Sequence, residues 1–123
     1  MRVAPDSLKG HWPAGPEVTV TLAETTLVVA VKADCDGCRD FLNADLNELG
    51  VAVLVISRDD AGSSEWIDAK RPVLVSPEAF QLLDIRWPPF YVLVDPIAGR
   101  VLTEGVLFGP SQVAAEIASY LRD

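Results

Sequence analysis

The sequence is poor in the residues that staple small scaffolds together. Its only two cysteines in 123 residues, Cys35 and Cys38, exclude a disulfide-rich framework. With one histidine, His11, in a different region, too few ligands exist for a tetrahedral Cys/His zinc site, and no metal is expected. Basic side chains are also scarce. Ten Lys and Arg against 18 Asp and Glu give a formal net charge of -8. That balance argues against nucleic acid as the main partner, because phosphate binding needs a basic surface. It argues equally against an anionic membrane surface. No apolar run approaches the roughly 20 residues of a membrane span. The longest, Val51-Ala52-Val53-Leu54-Val55-Ile56, is strand-sized. The opening Met1-Arg2-Val3-Ala4-Pro5-Asp6 lacks the apolar stretch of a signal peptide, so a cytoplasmic location is expected. An export signal already removed would leave the same sequence on an extracytoplasmic protein.

What is present suits one globular domain. Half the residues are hydrophobic, enough for a sizeable core. Residues 1–16 hold Pro5, Gly10, Pro13, Gly15 and Pro16 and are expected to form an irregular lead-in, with the domain proper over 17–123. Glu17 to Leu22 alternates polar and apolar residues, the pattern of a half-buried edge strand. Leu27 to Val31 is a β-branched run, read as a strand covered on both faces. A helix is expected from Arg39 to Leu49, with Leu42, Leu46 and Leu49 on one face and Gly50 as its stop. Val51 to Ser57 completes a right-handed βαβ unit.

Further along, Ser63 or Ser64 opens a short helix through Trp66 and Ile67. Pro77 opens another, with Phe80, Leu82 and Leu83 facing inward. Phe90 to Val94 reads as a third buried strand, Asp95 to Gly99 as a turn, and Arg100 to Leu107 as its antiparallel partner. Pro110 begins a last helix with Val113, Ile117 and Leu121 on one stripe. The outcome is an α/β fold, a central mixed sheet with helices on both faces.

Cys35-Asp36-Gly37-Cys38 falls where a buried parallel strand meets a helix. The first helical turn leaves its N–H groups unpaired and carries the positive end of the macrodipole. A thiolate there is stabilised and becomes a nucleophile near neutral pH. A second cysteine one turn on can attack the resulting mixed disulfide and release the partner. Inert buried thiols are the bland alternative, and the flanking Asp34, Asp36 and Gly37 argue against burial of both.

On these residues the chain resembles the thioredoxin-like superfamily, and within it the redoxin-type thiol reductases, over Glu17 to Asp123. Three signals carry the resemblance: the strand–Cys35-x-x-Cys38–helix unit; Pro89-Phe90-Tyr91-Val92-Leu93-Val94-Asp95; and Gly99-Arg100-Val101 with Gly105 and a terminal amphipathic helix. It implies a thioredoxin-like three-layer sandwich and a cis peptide bond at Pro89, which would pack beside the cysteines and shape a groove for the substrate. It assigns Cys35 as nucleophile and Cys38 as resolving thiol, with Pro89, Trp87 and Pro88 along the groove.

The chain also departs from the family. Asp34 stands where Trp is common, and Asp36-Gly37 where Pro is common between the cysteines. Two carboxylates beside Cys35 disfavour its thiolate, so a milder nucleophile and a more reducing pair are expected. Val29 occupies the place of the thioredoxins' buried carboxylate. Pro88 has no N–H to offer a bound peptide. Val28 and Lys32 replace the Pro and Thr of the peroxiredoxin motif, so peroxidase chemistry by that route is not expected.

The reading is a thiol–disulfide oxidoreductase, more specifically a monomeric protein disulfide reductase. It needs no cofactor beyond the Cys35–Cys38 pair. Its partners are a protein or small-molecule disulfide and an upstream reductant. The second reading is a non-catalytic module of the same fold, holding one protein through its acidic face and the Trp87-Pro88-Pro89 edge.

Overall fold

The computed structural model describes residues 2–66 and 69–121. Its strands are β1 (Ser7–His11), β2 (Glu17–Thr21), β3 (Thr26–Val31), β4 (Ala52–Ser57), β5 (Val73–Val75), β6 (Phe90–Asp95) and β7 (Arg100–Val106). Its helices are α1 (Asp36–Asn43), α2 (Ser63–Trp66), α3 (Pro77–Leu82) and α4 (Pro110–Ile117), with single 3₁₀ turns at Asn47–Leu49 and Ala118–Tyr120. The strands form one mixed sheet in the order β2-β1-β5-β4-β3-β6-β7. β3 runs parallel to β4 and antiparallel to β6, at the centre of the sheet.

Alternation along the central strands divides the core in two. Leu27, Val29 and Val31 of β3 face one layer with Tyr91 and Leu93 of β6, Phe41 and Leu42 of α1, and Val113 and Ile117 of α4. Val28, Ala30, Ile56, Leu74, Val92 and Val94 face the other, against Ala79 and Phe80 of α3 and Leu8 of β1. All six residues of β3 are buried, as its unbroken apolar run requires.

Four expectations need correction. The lead-in is not irregular: Ser7–His11 is a strand paired with β2, from Ser7 opposite Thr21 to His11 opposite Glu17. The breakers Pro13 and Gly15 fall in the connecting turn, and Gly10 sits within β1 for a reason of space. A Cβ there would overlap the Val75 carbonyl oxygen of the neighbouring strand. The domain therefore begins before Glu17. Second, the helix after the cysteines stops at Asn43. Asn43 turns its side chain back to the Arg39 carbonyl, and Asp45 accepts the Asn47 N–H in a local turn. Leu42, Leu46 and Leu49 are nevertheless all buried, the last two carried by the turn that ends at Gly50 in left-handed conformation. Third, β5 was not foreseen. Fourth, Leu82 is 49% exposed, while Phe80 and Leu83 are buried as expected. Ile67 lies outside the described residues.

The remaining boundaries follow from caps. The Ser76 side chain accepts the Ala79 N–H at 3.1 Å and donates to the Lys9 carbonyl, starting α3 and tying it to β1. The Gln112 side chain accepts the Phe108 N–H at 2.8 Å and the Gly109 N–H at 3.3 Å, fixing the entry to α4. Among the described residues no helix is long and apolar enough to cross a membrane.

Candidate active site

Cys35 is the N-cap of α1. Its backbone is extended, and its sulfur accepts the Cys38 N–H at 3.2 Å, so it takes up one of the donors that a helix start leaves unpaired. Cys38 is fully buried against Phe41 and Leu42, whereas Cys35 is half-buried. The two are joined as a disulfide, with Cα atoms 5.2 Å apart. One sulfur is thus presented at the surface and its partner is sheltered behind it.

The flanking carboxylates are partly matched. Asp34 is exposed and left-handed, a conformation Asp tolerates better than most residues, and its N–H reaches the Glu65 carboxylate at 3.2 Å. Asp36 is paired with Arg39, whose other nitrogen lies 2.6 Å from Glu65. Arg39 is held protonated, first by the Glu65 hydrogen bond and then by Asp36. Glu65 is a site-flanking group that the sequence did not point to, because it comes from α2, 26 residues beyond Arg39.

Register brings the second half of the site alongside. Ala30 of β3 pairs with Phe90 of β6, so the loop carrying Cys35 and the residues Trp87-Pro88-Pro89 leave the sheet at the same end. Pro89 immediately precedes β6 and is partly buried. The Pro88–Pro89 peptide bond is cis. Pro89 is anchored through its carbonyl, which accepts the Leu107 N–H at 3.2 Å. Phe90 packs on the second core. Trp87 is 81% exposed.

Trp87 and Pro88 border a cavity of about 250 Å³, whose other walls are Val31, Lys32, Ser57, Arg58, Asp59 and Arg86. A larger cavity of about 470 Å³, which shares Arg58 with it, lies between β1 and α3, where His11 Nε2 faces Asp60 at 3.4 Å. Among the described residues no carboxylate is buried. Val29 is fully buried in the layer of Cys38, and the polar member of that layer, Tyr91, directs its hydroxyl to Glu116 at 2.5 Å.

No protein-family model and no curated protein matches the chain. Solved structures do. The thioredoxin domain of a thiol-disulfide oxidoreductase from Bacteroides vulgatus superposes with a TM-score of 0.67 at 18% identity, over 98% of this chain and 96% of that one. The exposed lipoprotein thioredoxin of Streptococcus pneumoniae gives 0.65 at 15% identity, over 94% and 99%. The bacterioferritin comigratory protein of Xanthomonas campestris, studied for its alkyl peroxide reduction activity, gives 0.66 at 17% identity, over 94% and 92%. At these identities the likeness is one of architecture: the chain has a thioredoxin-like, redoxin-type fold, with a Cys-x-x-Cys disulfide at the start of its first helix.

Proposed function

We propose that the protein is a thiol–disulfide oxidoreductase working as a disulfide reductase. The observation that carries this is the asymmetry of the pair: Cys35 caps the helix at the surface, and Cys38 lies buried one turn behind it. In the reduced form the Cys35 thiolate attacks one sulfur of a substrate disulfide. That bond breaks, a mixed disulfide forms, and the first product leaves as a thiol after taking a proton. Cys38, deprotonated by water because no carboxylate is buried among the described residues, attacks the Cys35 sulfur. The mixed disulfide breaks, the second thiol leaves, and Cys35–Cys38 is again a disulfide. Two electrons pass to the substrate, and an upstream dithiol restores the reduced pair by the same steps in reverse. Pro89 walls the substrate groove; Asp34 and Asp36 temper the thiolate. No organic cofactor enters the scheme.

Pre-reduced protein mixed with hydroxyethyl disulfide tests the scheme. One equivalent of the Cys35–Cys38 disulfide should form, read by mass spectrometry. A protein that stays reduced, yet retains one partner in either redox state, is the non-catalytic binding module instead; the exposed Trp87 favours that second reading. Titration of the pair against glutathione gives its reduction potential. A value below the cytosolic glutathione poise supports a cytoplasmic reductant, and a value well above it an extracytoplasmic oxidant.

A further inference from the structure

The cavity beside Trp87 does not match the charge of the molecule that contains it. The chain carries a net charge of -8, yet three of its ten basic residues, Lys32, Arg58 and Arg86, line this space with a single carboxylate, Asp59; Arg58 also borders the larger cavity that holds Glu17, Asp60 and Glu78. Among the described residues no carboxylate lies within ion-pair distance of Lys32 or Arg58. Arg58 is pinned instead, donating to the Ile85 and Arg86 carbonyls at 3.3 Å and stacking 4.8 Å over the Phe80 ring. Arg86 pairs loosely with the exposed Asp84, at 3.5 Å, and also borders a neighbouring cavity lined by Asp84 and Glu104. The remaining walls are the apolar Val31, Trp87 and Pro88 and the polar Ser57.

Position ties this cavity to the cysteines. Lys32 directly follows β3 and precedes Cys35 by three residues; Pro88 adjoins Pro89. At about 250 Å³ the space is smaller than the ~300–1,000 Å³ that hold whole ligands, so it suits a terminal group rather than a molecule. The neighbouring edge is ill-suited to strand addition by a peptide, because Pro88 and Pro89 both lack an N–H.

We propose that this cavity receives a carboxylate arm of a small disulfide whose sulfur is attacked by Cys35, making the preferred substrate a low-molecular-weight anionic disulfide. The carboxylate meets Lys32, Arg58 and Arg86, and its methylenes lie on Trp87. The substrate role rests on the exchange chemistry proposed above; binding of the carboxylate is read separately from it.

Three small disulfides separate the cases: dithiodipropionate, hydroxyethyl disulfide and cystamine, which are anionic, neutral and cationic. The anionic one should be reduced with the highest kcat/KM, by about threefold over the neutral one, against the overall negative field. A Lys32→Glu/Arg86→Glu double variant should lower the anionic-to-neutral ratio about tenfold, the scale of two exposed ion pairs. Thiodipropionate, the thioether that cannot react, should shift the emission of Trp87 on titration, and Trp87→Phe should abolish that shift. Cystamine as the best substrate, or no thiodipropionate shift in the wild type, overturns the proposal even if disulfides are reduced. If thiodipropionate binds and no disulfide is reduced, the exchange reading falls and the carboxylate site stands.

Discussion

The two flanks of the cysteine end of the sheet are built differently. On the α1 side charges are matched across elements: Arg39 joins Asp36 to Glu65, and Glu65 also holds the Asp34 N–H. On the Trp87 side a large aromatic stands 81% exposed beside three cations that, among the described residues, form no ion pair except the loose Arg86–Asp84 one, with Asp59 the single carboxylate in their cavity. A matched network fixes geometry and mutes its own field, which suits a place where a sulfur must be presented at one angle. An unmatched one keeps its field available to a visitor. The comparison divides the labour proposed for the site: chemistry on the α1 flank, selection on the Trp87 flank.

The largest expected effects test the first half of that division. Cys35→Ser should abolish disulfide reduction, a loss on the order of 10³-fold or more, since the remaining thiol, Cys38, is fully buried. Cys38→Ser should stop turnover too, but with a mixed disulfide to Cys35 accumulating and visible by mass. If Cys38→Ser accumulated nothing while wild type turned over, the order of attack would have to be reversed.

Next in size is a contrast in stability. Phe41 packs α1 onto the sheet beneath Cys38 and is fully buried, so Phe41→Ala should cost about 3–5 kcal/mol in urea unfolding. Trp87→Ala should stay within about 0.5 kcal/mol, as surface changes do, while altering substrate preference. Comparable losses in both would mean that the Trp87 flank is structural and not a recognition surface. A smaller effect belongs to Arg39→Ala. Removing the cation leaves Asp36 and Glu65 unmatched near Cys35, and alkylation of Cys35 by iodoacetamide at pH 7 should slow about threefold. An unchanged rate would mean that the network orients the loop without influencing the sulfur.

The parts of this arrangement that were legible in the sequence are those written over short distances. The run Leu27 to Val31, the two-residue spacing of the cysteines and the stretch from Pro89 to Asp95 each declare a local structure, and each lies where expected. The α1 boundary was misread because Leu42, Leu46 and Leu49 keep helical spacing, while a polar turn at Asn43–Asp45 carries the later two into the same core. β5 is three residues between Pro72 and Pro77, too short for alternation to register. β1 was hidden by breakers whose meaning is tertiary: Gly10 is small because Val75 lies against it. The Glu65–Arg39 contact and the cationic cavity join residues 26 or more positions apart, and no local pattern encodes either.

The matched-charge rule can be sharpened at a pair remote from the sulfurs. Tyr91 donates to Glu116 at 2.5 Å, and Gln112 donates to the other carboxylate oxygen at 2.9 Å. The Tyr91 hydrogen bond, then that of Gln112, holds the Glu116 carboxyl below its ordinary value of 4.5. Burial of the ring, followed by the same hydrogen bond, raises the Tyr91 phenol above its ordinary 10.0. The two signs act on opposite limbs. A carboxyl with a depressed folded pKa contributes stability above its unfolded value and loses it as pH falls through the folded one. A phenol with a raised folded pKa contributes stability below its unfolded value and loses it as pH climbs past 10 toward the folded one. Tyr91→Phe removes the donor and keeps the ring. The urea midpoint of wild type should therefore exceed that of Tyr91→Phe near pH 6, and the gap should narrow as pH falls below 4.5 and Glu116 protonates. A gap that stayed constant through that range would show that the hydroxyl contributes by filling space and not by holding a charge.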